Sequence, residues 1–144
     1  MAKRIRIEGI SRIGFERRWM RVFALGISKD DVKRCVSGQY IWHVFSYRLL
    51  DSSVYLQGEA AMEAFKHVDK EKAYCLQPFM RKKVLPLTDA HCDPAEINMN
   101  CGEIYIVPED FSWTYIKTHE GDLCGPYFMR ADKHATTSHE SVTK

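Results

Sequence analysis

The stretch EIYIVPEDFSWTYIKTHEGDLCGPYFMR, from Glu103 to Arg130, constrains this chain more than any other. It holds three β-rich runs, Glu103–Val107, Ser112–His119 and Tyr127–Arg130, separated by turn formers including Gly125-Pro126. Connections this short suit antiparallel neighbours, because parallel strands need a crossover of a dozen residues or more. A sheet of this kind must bury its apolar residues under helices, and the rest of the chain has to supply them. The same stretch concentrates reactive side chains: His119, Glu120, Asp122 and Cys124, with Trp113, Tyr115, Tyr127 and Phe128 around them.

The helices are read from periodicity. Phe15, Trp19, Val22 and Phe23 recur at helical spacing opposite Glu16, Arg17, Arg18 and Arg21, predicting an amphipathic helix that ends near Gly26. Ser28, with Asp31 three residues on, caps a second short helix whose inner stripe is Val32, Cys35 and Val36. Gly58–Val68 reads as the clearest helix, with Ala61, Ala64, Phe65 and Val68 on one side. Tyr40–Leu50 is rich in aromatic and β-branched residues and favours a buried strand over a third helix. Ala73–Met80 and Lys83–Leu87 are further strands, Thr88–Gly102 reads as a long loop, and the alternation near Ile5 and Ile7 suits an edge strand or an ordered arm. The expected fold is therefore α+β, a mainly antiparallel sheet of about five strands with the N-terminal and central helices packed on one face. Residues 1–130 form one domain in this reading, and 131–144, which lack apolar anchors, a flexible tail.

Charge and cysteine usage narrow the class. Residues 1–34 carry ten Lys/Arg against four acids, a local net of +6 within a chain of net +2. Such a face suits an acidic protein partner or simple solvation, and nucleic acid is not expected at so small an overall charge. No run approaches the ~18 apolar residues of a membrane helix. The basic start MAKRIRIEGISR has no apolar segment of the export type, so a cytoplasmic protein is expected. Five cysteines, an odd and irregularly spaced set, read as reduced thiols.

Three segments together resemble a family of small bacterial domains of unknown function: Trp42, His43, Phe45 and Ser46 as W-H-x-F-S; Gly58, Glu59 and Ala60 as G-E-A; and Phe111, Trp113, Thr114, Thr118, His119, Glu120, Gly125, Pro126, Tyr127 and Phe128 as F-x-W-T…T-H-E…G-P-Y-F. The resemblance implies a small cytosolic protein of the immunity or interaction kind, by analogy with others of that size, and brings no activity with it.

The chemistry on offer is sparse. No Gly-rich phosphate loop and no cofactor motif is present. Catalysis would rest on His119, Glu120 and Cys124, as a small hydrolase or metal-dependent enzyme, although consecutive His119 and Glu120 on a strand would face opposite sides. A binding surface would draw on Trp113, Tyr115 and Lys117, which share a strand face, and on Tyr127. The leading expectation is a protein-binding module of immunity or regulatory type. His91, Cys92, Cys101, His119 and Cys124 are competent zinc ligands without zinc spacing. Metal is accordingly expected to be dispensable: chelation should leave the melting curve unmoved, whereas one equivalent of co-purified zinc whose removal unfolds the protein would reverse this reading.

Overall fold

A computed structural model describes residues 7–80, 82–88 and 92–132; the tail expected beyond residue 130 lies, from 133 on, outside the described residues. The elements run α1 (Arg12–Phe23), α2 (Lys29–Cys35), α3 (His43–Ser46), β1 (Tyr55–Gln57), α4 (Glu59–His67), β2 (Ala73–Leu76), β3 (Leu85–Pro86), α5 (Pro94–Asn100), β4 (Ile104–Pro108), β5 (Trp113–Lys117) and β6 (Tyr127–Arg130). The six strands form one sheet in the order β1-β6-β5-β4-β2-β3, and every pairing is antiparallel. The α+β architecture and the β4–β5–β6 meander are as the sequence predicts.

Both N-terminal helices begin where their caps dictate. The Ser11 hydroxyl accepts from the Gly14 amide at 3.2 Å and the Ser28 hydroxyl from Asp31 at 3.1 Å, each satisfying one amide that the first helical turn leaves without a partner. Ahead of α1, residues 9–12 run beside 82–84, with Gly9 N–H donating to the Val84 carbonyl and Val84 N–H to Ile10. The N-terminal segment is thus an ordered arm from Ile7 onward.

The helices divide between the two faces of the sheet instead of sharing one. Alternation along β5 shows why: Thr114 and Ile116 face α1, while Trp113 and Tyr115 face α4. Phe15, Trp19 and Phe23 of α1 join Tyr105, Val107, Ile116, Tyr127 and Met129 in the larger core. Ala61 and Phe65 of α4 and Ile97 of α5 join Cys75, Ile104, Ile106, Tyr115 and Phe128 in the other. Phe65 stacks on Tyr115 with ring centroids 4.2 Å apart. Across the first face, the Trp19 indole N–H donates to Thr114 Oγ1, whose hydroxyl donates to the Ile106 carbonyl, both at 3.0 Å. That relay satisfies three buried polar groups and pins α1 over the sheet centre.

Two local expectations are corrected, and one strand is added. Tyr40–Leu50 is no strand: Ile41, Trp42, Val44, Phe45 and Leu50 all enter the same core, and consecutive residues of a strand cannot all point one way. The backbone instead coils through successive i→i+3 bonds into the single turn of α3. Within Thr88–Gly102 stands α5, capped by Asp93, whose carboxylate accepts from Ala95 N–H at 2.9 Å, with Pro94 in the first turn and Ile97 fully buried. Strand β1 is new; three residues are too few for a period to show.

Trp113, Tyr127 and Phe128 are 4%, 2% and 2% exposed. Truncating any one to Ala should cost ~3–5 kcal/mol in a urea melt. The Tyr115 hydroxyl is buried with no hydrogen-bond partner among the described residues. Tyr115→Phe should therefore match or exceed the wild type in stability, and a loss above ~1 kcal/mol would mean that the hydroxyl is in fact bonded.

Candidate functional site

Among the described residues Glu103 stands out as an acid whose side chain is wholly buried. Glu103 and Tyr105 lie two residues apart on the same side of the chain entering β4, and the Tyr105 hydroxyl donates to Glu103 Oε2 at 2.5 Å. The other oxygen accepts from the Trp42 indole N–H at 3.2 Å and from the His119 backbone N–H at 3.2 Å. His119 Nδ1 lies 2.7 Å from the same atom. A carboxylate is purely an acceptor, and surrounding donors are what make an ionised oxygen tenable away from water. The proton of this contact therefore sits on Nδ1, which leaves Nε2 of a neutral His119 as an acceptor. Burial, reinforced by the Glu103 charge, raises the Tyr105 phenol, so it remains a donor.

The imidazole is about one-third exposed and framed by rings: Tyr40 at 4.9 Å, Phe79 at 5.4 Å and Trp42 at 5.8 Å between centroids. Beyond Tyr40 lies His43, whose Nδ1 is 2.7 Å from the Cys35 carbonyl and whose ring meets Tyr47 at 4.8 Å. The contacts Tyr47–His43–Tyr40–Phe79–His119 are continuous, and Tyr47 and Phe79 are 54% and 58% exposed.

The remaining predicted residues have other partners. After β5 the chain turns, with the Thr118 hydroxyl donating to the Cys124 carbonyl. Cys124 is half-buried, between Glu120 and Tyr127; burial first, then the Glu120 carboxylate, pushes its thiol up, so a nucleophilic thiolate is disfavoured. No hydrogen bond joins His119 to Cys124 or to Glu120 among the described residues. The Asp122 side chain lies outside them. Gly125 has φ +102°, and a Cβ there would sit 3.2 Å from the Tyr127 ring, so the return into β6 requires glycine.

Of the residues expected to form a binding surface, Trp113 and Tyr115 lie beneath α4, and Tyr127 stacks on Phe45 at 4.7 Å in the opposite core. Lys117 donates to the Cys101 carbonyl and to that of Gly102. The sheet face that carries the first two is covered, not open to a strand of nucleic acid. Cys75 and Cys101 are buried, and all five cysteines are free thiols. Among the described residues no three His, Cys, Asp or Glu side chains gather as a metal site, and His91 lies outside them. No helix among them is long and apolar enough to cross a membrane.

A family model described as "Domain of unknown function (DUF4275)" matches residues 1–128. The chain belongs to this family. Comparisons with curated proteins and with solved structures found no match. In this DUF4275 chain two of the motifs noted from sequence converge on one carboxylate, Trp42 from the first run and His119 from the last. Glu103 itself escaped the sequence reading. The signal was its i, i+2 spacing to Tyr105 on the side opposite Ile104 and Ile106, but a charge at the head of an apolar strand ordinarily reads as solvated.

Glu103→Ala would strand the Trp42, Tyr105 and His119 donors. It should lower stability by ~3 kcal/mol or more, and Glu103→Gln by less because one amide oxygen can still accept. Urea denaturation of both variants measures this; a Glu103→Ala protein as stable as the wild type would show that the donors find other partners.

Proposed function

We propose that the protein is a small cytosolic protein-binding module of immunity or regulatory type. The observation that carries this reading is the continuous run of ring contacts Tyr47–His43–Tyr40–Phe79–His119, which brings Tyr47 and Phe79 to solvent on either side of a buried His43, with Met80 exposed beside Phe79 in sequence. Large aromatic side chains that keep their rings in solvent gain from burial against a partner and are enriched at interface anchors. The Glu103 cluster beneath holds Trp42 and His119 in fixed positions, so little side-chain freedom is lost on docking.

One observation favours the other reading, a small hydrolase: a buried Glu103 carboxylate holds Nδ1 of a part-exposed His119, as the orienting group of a general base would. Cys124 and Glu120 contribute less to that reading, since the thiol is pushed up and neither residue bonds to His119.

The two readings separate on His119. As an interaction module, Tyr47→Asp with Phe79→Asp should keep the wild-type melting temperature and lose the proteins that wild type retains on an affinity column. His119→Ala should lower melting temperature and retention together. A His119→Ala protein of unchanged stability that has lost a hydrolytic turnover shown by the wild type would establish the enzyme instead.

A further inference from the structure

Helix α1 turns Phe15, Trp19 and Phe23 into the core, which leaves its opposite side for another use. That side looks across at α2, a helix that fully buries none of its own residues. Between them runs a groove of about 620 Å³. Met20, Val32, Val36 and Ile41 line it, and Ile13 and Leu25 stand at its mouth 63% and 62% exposed. Arg12, Arg17 and Arg21 line the same groove against a single acid, Glu16. Arg12 is paired with Glu16 at 3.4 Å, while Arg17 and Arg21 make no ion pair among the described residues. An aliphatic trough edged by Arg17 and Arg21, without ion pairs among the described residues, differs in chemistry from the aromatic rings, although they share a wall: Ile41 lines the groove, and Tyr40 and Trp42 belong to the rings around His119.

We propose that this groove binds an acidic amphipathic helix of a partner protein, an inference that rests on the protein-binding reading and names the partner's chemistry. The apolar stripe of such a helix covers the aliphatic floor, and its flanking carboxylates meet Arg17 and Arg21. The 12 residues of α1 span ~18 Å, so the contacting part of the partner is about three turns with apolar residues at i, i+3 or i+4, and i+7. Residues 1–6 and 133–144 of this sequence lack this composition. Residues 1–6 bring Lys3, Arg4 and Arg6 and no acid, and residues 133–144 bring Lys133 and Lys144 against Glu140 with little apolar content. A second copy docked groove to groove would set arginines against arginines, since a two-fold interface pairs a surface with itself.

The test uses the full chain and a fluorescein-labelled synthetic helix of about 18 residues, with Leu at the stripe positions and Glu on both flanks. Its controls are a scrambled peptide of the same composition and a version with Lys for Glu. Fluorescence anisotropy should show the Glu helix binding at least about tenfold more tightly than either control, with affinity falling as salt rises. Leu25→Asp should weaken it about tenfold. The double variant Arg17→Gln and Arg21→Gln should weaken it comparably and flatten the salt dependence at an unchanged melting temperature. Tyr47→Asp with Phe79→Asp should leave it intact. Equal binding of the scrambled peptide, amide shift changes at the ring surface instead of α1 and α2, or dimerisation through the groove in sedimentation would each overturn the proposal. If the Glu helix fails while partner retention still depends on Tyr47 and Phe79, the groove assignment falls and the binding-module reading stands; if retention is lost as well, both fall.

Discussion

Removing the Glu103 carboxylate from water is a costly local act in this fold, and much of the architecture answers it. An ion taken out of water carries a penalty of several kcal/mol even after relaxation, and only closely placed donors offset it. Here they come from three places in the sequence, at Trp42, Tyr105 and His119. Meeting that demand brings the segment before α3 over the start of β4 and turns the exit of β5 back toward it. Arg12 and Glu16 of α1 lie in the same electrostatic neighbourhood: burial raises the Glu16 carboxyl, Arg12 opposes this, and Glu103 adds to it. One buried charge thus ties together helix, coil and sheet.

Strand β5 is the second organising feature, because it belongs to both cores at once. One side of it meets Trp19 through Thr114, and the other meets Phe65 through Tyr115 and Trp113. A side chain added to either layer is transmitted through a strand whose residues from Trp113 to Ile116 are all buried. This is why aromatic residues that look suited to ligand binding in the sequence are packing residues in the structure.

Elements with a period were legible and those defined by a single contact were not. α1 and α4 announce themselves by apolar spacing, α2 by its Ser28 cap, and the meander by short turns between β-rich runs. α3 was hidden because coil and strand can carry the same aromatic composition, and only the destination of Ile41, Trp42 and Val44 in one core tells them apart. α5 carried a readable signal in Asp93-Pro94 that the surrounding polar residues masked. In the site, His119 stood out by its neighbours in sequence, and Glu120 and Cys124 were grouped with it for the same reason. Side-chain partners follow tertiary geometry, so the residue that holds His119 lies sixteen positions upstream. Glu103 could not be assigned to it from spacing alone.

The sheet closes on its two outermost strands in a way that bears on how the chain behaves in a crowd. β1 is three residues long and β3 two, and each carries a part-exposed leucine, Leu56 and Leu85. Long apolar borders of this sort would invite a neighbouring molecule to add its own main chain and propagate into fibres. Strands this brief offer too few amide and carbonyl groups to fix a register, and Pro86 has no N–H to give. Terminal strands this short therefore disfavour polymerisation by β-addition.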